Sequence, residues 1–174
     1  ANYWERYCRE RFDENGLFYG EIHGIDFVSE HGCRGIDMGY NLEESIPLLL
    51  RHAVLVNDTE KLAFYKARML DHFEFLLPDG GIDNSFGTRQ NKWTYWGSRT
   101  SDGLLEGLAL VLDEPVFARA AERVLTLWES CTHNDLLSMP MAEDADEPTC
   151  LHHSFCHAKA LAALVNSEVE IADR

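Results

Sequence analysis

Apolar residues recur along this chain at intervals of three and four positions, the spacing that places them on one face of an α-helix. The pattern predicts helices at about 3–12, 43–56, 59–77, 101–112, 115–128 and 149–165. No segment alternates between apolar and polar residues for more than a few positions, as a half-buried strand would. The chain is therefore predicted to be all-α.

Two of these helices have well-defined apolar stripes. The second is predicted to bury Ile46, Leu49, Leu50, Ala53 and Val54, and the third Leu62, Tyr65, Met69, Phe73 and Leu76. Asp58 or Thr59 is the predicted N-cap of the third helix, because their side chains accept hydrogen bonds from the first turn.

The connections between helices alternate in length. Those after Val56 and Leu112 have two or three residues, whereas those at 16–41, 78–100 and 133–148 are long. In antiparallel hairpins this alternation puts the long loops at one end, where long loops of compact domains are usually functional. The pattern predicts a single domain over 1–174 of stacked helical hairpins, an (α/α) toroid. Its ring is expected to be incomplete, as part of a larger catalytic domain; a bundle with decorative loops is the alternative.

Charge and composition narrow the partners. The 174 residues carry a formal net charge of −15, which argues against nucleic acid, since binding phosphates requires a broad basic surface. No apolar run approaches the roughly 18 residues of a membrane span, and residues 1–6 show no signal-peptide pattern. The five cysteines are scattered and form no CxxC motif, so neither a disulfide framework nor a zinc ribbon is predicted.

One long segment departs from the acidic character of the chain. Residues 84–101 contain no Asp or Glu, and they interleave basic and aromatic side chains: Phe86, Arg89, Lys92, Trp93, Tyr95, Trp96 and Arg99. Arginine binds carboxylate or sulfate through charge-assisted hydrogen bonds, and aromatic rings pack on sugar faces. The segment is thus a candidate site for an anionic sugar. Alternatively, its aromatic rings fill the core and its cations pair with nearby acids.

A second acid-free segment, 148–167, contains His152, His153 and His157. His153 and His157 lie four residues apart and so share a helix face. Ser154 replaces the Glu that a zinc-binding HExxH motif requires. With Cys150 and Cys156 nearby, a metal site, an acid–base or substrate-orienting histidine, and a structural histidine all remain open.

Asn41 has two alternative positions. It can cap the second helix, with Glu44 completing a capping box. Pro47 favours Ser45 as a competing cap, which leaves Tyr40 and Asn41 on the preceding loop and free to face a cleft.

Three segments together resemble the α/α-toroid polysaccharide lyases, which include the heparinase II/III-like, chondroitin/hyaluronan and alginate lyases. They are YNLEES at 40–45, DNSFGTRQNKWTYWGSRTSDG at 83–103 and HHSFCHAK at 152–159. The resemblance covers most of the chain and assigns no particular family within the group.

The resemblance implies a lyase that cleaves a uronic-acid-containing polysaccharide or oligosaccharide by β-elimination. By motif position Tyr95 is the acid–base candidate and His153 the second catalytic group, supported by His157 or His152. Asn41 is the candidate that neutralises the uronate carboxylate, with Asn84 as its rival. The substrate-binding residues implied are Asn84, Arg89, Trp93, Trp96, Arg99 and His157. No cofactor is implied, and a divalent metal is left open.

Chondroitin-type lyases carry a His shortly after the Asp-x-Ser-Phe segment, whereas here Thr88-Arg89-Gln90 follows. This departure shifts the role of base towards Tyr95. Two other functions remain open. A glycoside hydrolase of the same toroid, such as an unsaturated glucuronyl hydrolase, would use a pair of acids from Glu43, Glu44 and Asp102. A non-catalytic carbohydrate-binding fragment is the third candidate. The lyase resemblance favours a periplasmic or secreted location.

Overall fold

The computed structural model describes residues 2–20, 25–30, 32–83, 86–87, 104–133, 136–137 and 151–167. Its helices are α1 (Asn2–Arg9), α2 (Met38–Tyr40), α3 (Ile46–Leu55), α4 (Thr59–His72), α5 (Leu104–Leu108), α6 (Pro115–Ser130) and α7 (Leu151–Val165). A π-helical turn occupies Asn41–Ser45 and a 3₁₀ turn Phe73–Phe75. The only strands in the described part are β1 (Thr132–His133) and β2 (Leu136–Leu137), an antiparallel pair. The all-α prediction is confirmed.

Two helical hairpins form the body of the fold. Helices α3 and α4 pack together across a tight turn, in which Asn57 adopts a positive φ of 52° and Asp58 caps α4 by accepting from the amide of Lys61 at 3.0 Å. Helices α5 and α6 also pack together, and α5 contacts both α3 and α7. The connection between α3 and α4, residues 56–58, is short as predicted, whereas residues 109–114 separate α5 from α6. Closure into a toroid stays a prediction.

Helix α1 ends at Arg9, earlier than the predicted residue 12. The Asp13 side chain accepts hydrogen bonds from the amides of Asn15 and Leu17, both at 2.9 Å. This local bonding competes with helix continuation, and it turns the chain so that Phe12 and Phe18 form a β-bridge.

Two further boundaries and one core position differ from prediction. Helix α4 ends at His72 rather than residue 77, because Leu76 bridges Ile82 across a turn instead of continuing the helix. Helix α5 ends at Leu108 rather than residue 112. Val54 was predicted to be buried but is 42% exposed, since the buried stripe of α3 follows positions 46, 50 and 53.

Neither predicted cap of the second helix makes a capping bond: Ser45 directly precedes α3 but is itself helical and its side chain makes no cap hydrogen bond, and Asn41 lies inside the helical segment. Asp37 is the N-cap, and its carboxylate accepts from the amide of Tyr40 at 3.0 Å. The chain is then helical from Met38 onward and passes through the π-turn into α3. Pro47 explains the widened turn: it has no amide hydrogen, and its ring would collide with a carbonyl one regular turn earlier. Asn41 is consequently buried inside a helical segment instead of lying on a loop.

The core lies between the hairpins and includes Leu50, Tyr65, Met69, Leu105 and Phe117, all fully buried. Gly107 allows the close approach of α5 to the first hairpin, because a Cβ there would lie 2.9 Å from the Met69 Cε and 3.0 Å from the Pro47 Cγ. No helix in the described ranges is long and apolar enough to cross a membrane. Cys8, Cys33, Cys131 and Cys156 are free thiols.

A buried carboxylate joins three helices at this core. Glu106 on α5 has a side chain only 3% exposed, and its two oxygens receive Arg51 of α3 at 2.6 Å and Lys159 of α7 at 2.8 Å. Both cations keep about two fifths of their surface in water. The burial cost of the carboxylate is therefore offset by two charges on different helices.

We expect Glu106→Gln to lower the free energy of unfolding by about 2 kcal/mol. Removing one member of a buried ion pair typically costs about 3–5 kcal/mol, and here the exposed cations regain hydration. Urea denaturation measures the change. Glu60→Gln is the matched control, because the Glu60 side chain is 90% exposed and 4.0 Å from Arg9; its loss should stay below about 0.5 kcal/mol. Equal losses in the two variants would contradict the role given to Glu106.

Candidate functional site

The side-chain amide of Asn41 lies at the loop end of the first hairpin and is almost completely buried, with 2% of the residue exposed. Its Nδ2 donates to the carbonyl oxygen of Phe18 at 2.8 Å and contacts the Nε2 of His72 at 3.1 Å. Since Nδ2 carries two hydrogens, both are used within the chain.

The protonation state of His72 follows from its other contact. Its Nδ1 lies 2.8 Å from the carbonyl oxygen of Arg68, which can only accept, so Nδ1 carries the proton. Burial lowers the pKa of His72 to about 4, against smaller opposing contributions from the Arg68 carbonyl and Asp13. The ring is therefore neutral near pH 7, and Nε2 accepts from Asn41 and, at 3.4 Å, from the amide of Phe18.

The loop before α2 is tied to this pair through its backbone. Phe18 uses both its amide and its carbonyl on His72 and Asn41. The next residue, Tyr19, is fully buried, and its hydroxyl accepts from the guanidinium of Arg34 at 3.0 Å. Arg34 is exposed, so its remaining N–H groups face solvent beside a rigid, uncharged polar centre.

The cationic segment 84–101 begins next to this centre. Gly87 pairs with Arg34 in a parallel β-bridge. A Cβ at Gly87 would lie 1.7 Å from the Ile36 carbonyl oxygen, so only glycine fits. At the far side of the segment, α5 packs against the Asn41–Ser45 turn. One end of the segment thus lies against the loop before α2, and the helix that follows it lies against the turn that contains Asn41.

The predicted catalytic Tyr95 and most of the predicted substrate-binding residues lie outside the described part of the chain. These are Asn84, Arg89, Trp93, Tyr95, Trp96 and Arg99. Their roles in substrate binding and catalysis stay predictions. The alternative also stays open, in which the aromatic rings fill the core and the basic side chains pair with nearby acids.

His153 and His157 both lie on α7, as predicted from their spacing. His157 is buried, and its ring meets Trp128 edge to face with centroids 4.3 Å apart. The side chains of His152 and His153 are outside the described set. Among the described side chains, no group of three or more His, Cys, Asp or Glu residues is placed to hold a metal ion.

Sequence reasoning missed His72 and Arg34. His72 had a detectable signal, because it occupies the apolar stripe of α4, three residues after Met69 and seven after Tyr65. A polar residue at a core-facing position needs a partner, which here is Asn41. Arg34 had no comparable signal, since only the tertiary bridge to Gly87 brings it to the site.

Comparison with known proteins identifies the family. The family model of the ulvan lyase N-terminal domain matches residues 2–174. The chain belongs to this family. A broad-specificity ulvan lyase of Formosa agariphila is 44% identical to this ulvan lyase N-terminal domain over 153 residues. No solved structure gave a significant match.

The extent of that match matters for function. It covers 86% of this ulvan lyase N-terminal domain but only 24% of the Formosa agariphila enzyme. The expectation of a polysaccharide lyase family is thus confirmed at the level of the family.

The buried neutral His72 predicts a pH-dependent stability. The unfolded chain takes up a proton at a pKa near 6.5, whereas the native ring does so only near 4. Stability is therefore complete above pH 6.5 and falls as the pH drops towards 4, by roughly 1.4 kcal/mol per pH unit.

Carboxylates titrate in the same window, so the measurement is the difference between wild type and His72→Gln in urea unfolding at several pH values. The free energy of unfolding of wild type minus that of His72→Gln should be about 3 kcal/mol larger at pH 7 than at pH 4. Parallel curves for the two proteins would show that His72 is not held neutral.

Proposed function

We propose that this chain is part of a lyase that cleaves an anionic, uronic-acid-containing polysaccharide of the ulvan type by β-elimination. The observation that carries the proposal is the 44% identity to a broad-specificity ulvan lyase across 86% of the chain. The acid-free segment 84–101, in which Gly87 lies against Ile36 on the loop before α2, supplies the cationic and aromatic groups that such a substrate needs.

In this reaction a base removes the C5 proton of the uronic acid. The electron pair forms the C4–C5 double bond, and the C4–O glycosidic bond breaks with protonation of the leaving oxygen. Tyr95 is proposed as the acid–base group, and His153 as the second catalytic group. Proton transfer by a positioned side chain contributes roughly 10²–10⁴-fold to the rate.

The C5 proton becomes acidic enough only when the neighbouring carboxylate is neutralised, which is an electrostatic contribution. Of the two candidates, Asn41 donates both amide hydrogens within the chain. This geometry favours its rival, Asn84, as the group that donates to the carboxylate. Arg89 and Arg99 are proposed to hold further carboxylate or sulfate groups, and Trp93 and Trp96 to pack on sugar rings.

Charge distribution supports the same substrate. The whole chain carries −15, which repels a polyanion from most of the surface. A cationic segment in such a surface draws the substrate to one place, because long-range attraction and repulsion together orient its approach. Arg34, exposed and adjacent to Gly87, extends this cationic region on the described side.

We propose no resident cofactor for the elimination itself, since amide and cationic side chains can neutralise the carboxylate. A periplasmic or secreted location fits a polymeric substrate. The histidines of α7 are proposed to serve the substrate site, with the buried His157 supporting the helix against Trp128.

Incubation with ulvan and other uronic-acid polysaccharides tests the proposal, because elimination creates a conjugated double bond that absorbs in the ultraviolet. We expect absorbance to rise with wild-type protein at its full natural length. Tyr95→Phe should reduce the rate roughly 10²–10⁴-fold. Tyr3→Phe is the matched control, since Tyr3 is 66% exposed on α1, and it should keep the wild-type rate.

Each alternative outcome has a distinct meaning. Absorbance that stays flat while the folded protein binds the polymers would replace the lyase with a carbohydrate-binding function. Release of reducing ends without ultraviolet absorbance from saturated substrates would indicate a hydrolase. A fully active Tyr95→Phe protein would remove Tyr95 from the mechanism and leave the lyase assignment in place.

A further inference from the structure

The hydrogen bond between Asn41 and His72 determines whether the NH₂ group or the oxygen of the Asn41 amide is available to a ligand. The Phe18 carbonyl can only accept, so the atom 2.8 Å away must be Nδ2 of Asn41. The His72 Nδ1 proton is directed to the Arg68 carbonyl, which leaves Nε2 as an acceptor for the second Nδ2 hydrogen. The Phe18 carbonyl, the Asn41 amide, the His72 ring and the Arg68 carbonyl can all be satisfied only in this arrangement. It leaves the carbonyl oxygen Oδ1 of Asn41 as the one atom of that amide not used in these hydrogen bonds.

The position of Oδ1 is defined by Gly20. A Cβ at Gly20 would lie 3.5 Å from Oδ1 and 2.6 Å from the ring of Phe18. Gly20 itself is exposed, whereas residues 16–19 before it are buried. Gly20 therefore contributes no side chain that would cover Oδ1.

We propose that His72 is a positioning residue that holds the Asn41 amide with both hydrogens turned inward, so that its carbonyl oxygen, beneath Gly20, accepts a hydrogen bond from a substrate hydroxyl. The inference rests on the proposed function for its substrate. Carboxylate, sulfate and ring oxygens of an anionic sugar only accept, so a hydroxyl group is the part of the substrate that can donate to this oxygen.

The arrangement gives Asn41 a role different from carboxylate neutralisation. An amide free to rotate presents either its NH₂ or its oxygen, and it would bind carboxylates and hydroxyls alike. An amide fixed by Phe18 and His72 rejects carboxylates at this point, because two acceptors would face each other without a proton between them. His72 thereby contributes to the register of the polymer along the site without touching it.

The orientation itself can be measured without substrate. Long-range ¹H–¹⁵N NMR of the histidine rings at pH 7 should show His72 protonated on Nδ1 alone, and the two Asn41 side-chain hydrogens should exchange slowly. In His72→Leu the slow exchange should be lost, and His72→Gln, which restores an acceptor, should recover it in part. An Nε2-protonated or doubly protonated His72 in the wild type overturns the proposal.

The substrate contact requires a comparison of ligands. The probes are uronic-acid oligosaccharides with every hydroxyl present and matched deoxy analogues, each lacking one hydroxyl. One analogue should bind wild-type protein on the order of fivefold more weakly, the effect of losing one hydrogen bond. That penalty should vanish in His72→Leu and persist in His72→Gln.

A purely structural role of His72 would weaken the binding of all oligosaccharides equally and leave every deoxy penalty unchanged, which would overturn the proposal. Gly20→Ala provides a second variant that keeps both Asn41 and His72, although its Cβ would lie 2.6 Å from the Phe18 ring and requires that ring to shift. The histidine NMR measurement shows whether the Asn41–His72 hydrogen bonds persist in this variant. Gly20→Ala should reduce the same deoxy penalty by crowding Oδ1, so an unaltered penalty would also count against the contact. Urea unfolding confirms that each variant is folded.

Failure of the proposed function has a separate signature. Wild-type protein that neither binds nor cleaves any of the oligosaccharides overturns the lyase and the hydroxyl contact together. In that case the NMR measurement still decides whether His72 fixes the Asn41 amide.

Discussion

The loop end of this fold depends on satisfying buried polar groups without water. Phe18 brings a backbone amide and carbonyl into the interior, where each would carry a large desolvation cost if left unpaired. The Asn41 amide and the neutral His72 ring satisfy both. His72 is correctly placed because α4 ends there, and Asn41 because the π-turn before Pro47 rotates it inward. The connection before α2, the first hairpin and the candidate site are thereby joined by one hydrogen-bonded group.

In the rest of the structure, charged side chains either pair in the interior or lie on the solvated exterior. Glu106 sits beneath the site as a buried anion, with its charge matched by Arg51 and Lys159 from neighbouring helices. The acidic side chains on the exterior are hydrated instead. They therefore influence the approach of ligands and the solubility of the chain more than its folding. The segment 84–101 contains no acidic residue, so it adds only positive charge to this acidic chain.

Much of the fold could be predicted from residue spacing, because the buried side chains of a helix recur every three or four residues in the sequence. The hairpin formed by α3 and α4 followed from the apolar stripe ending at Val56 and the cap at Asp58. The region around Asn41 could not be predicted, since Asn, Ser and Pro gave two plausible caps locally and neither forms. The choice is made by Asp37 and by tertiary partners that lie 23 and 31 positions away along the chain from Asn41. The same limit applied to Arg34, whose place in the site arises from one backbone bridge.

The close approach of Gly87 to Ile36 constrains the start of the cationic segment. There is no room for even a methyl group at Gly87, so this position near the start of the cationic segment requires glycine. The helix that follows the segment, α5, packs against the Asn41–Ser45 turn. Any side chain at Gly87 would have to displace the Ile36 backbone, and with it the chain that leads into Asp37, the N-cap of α2.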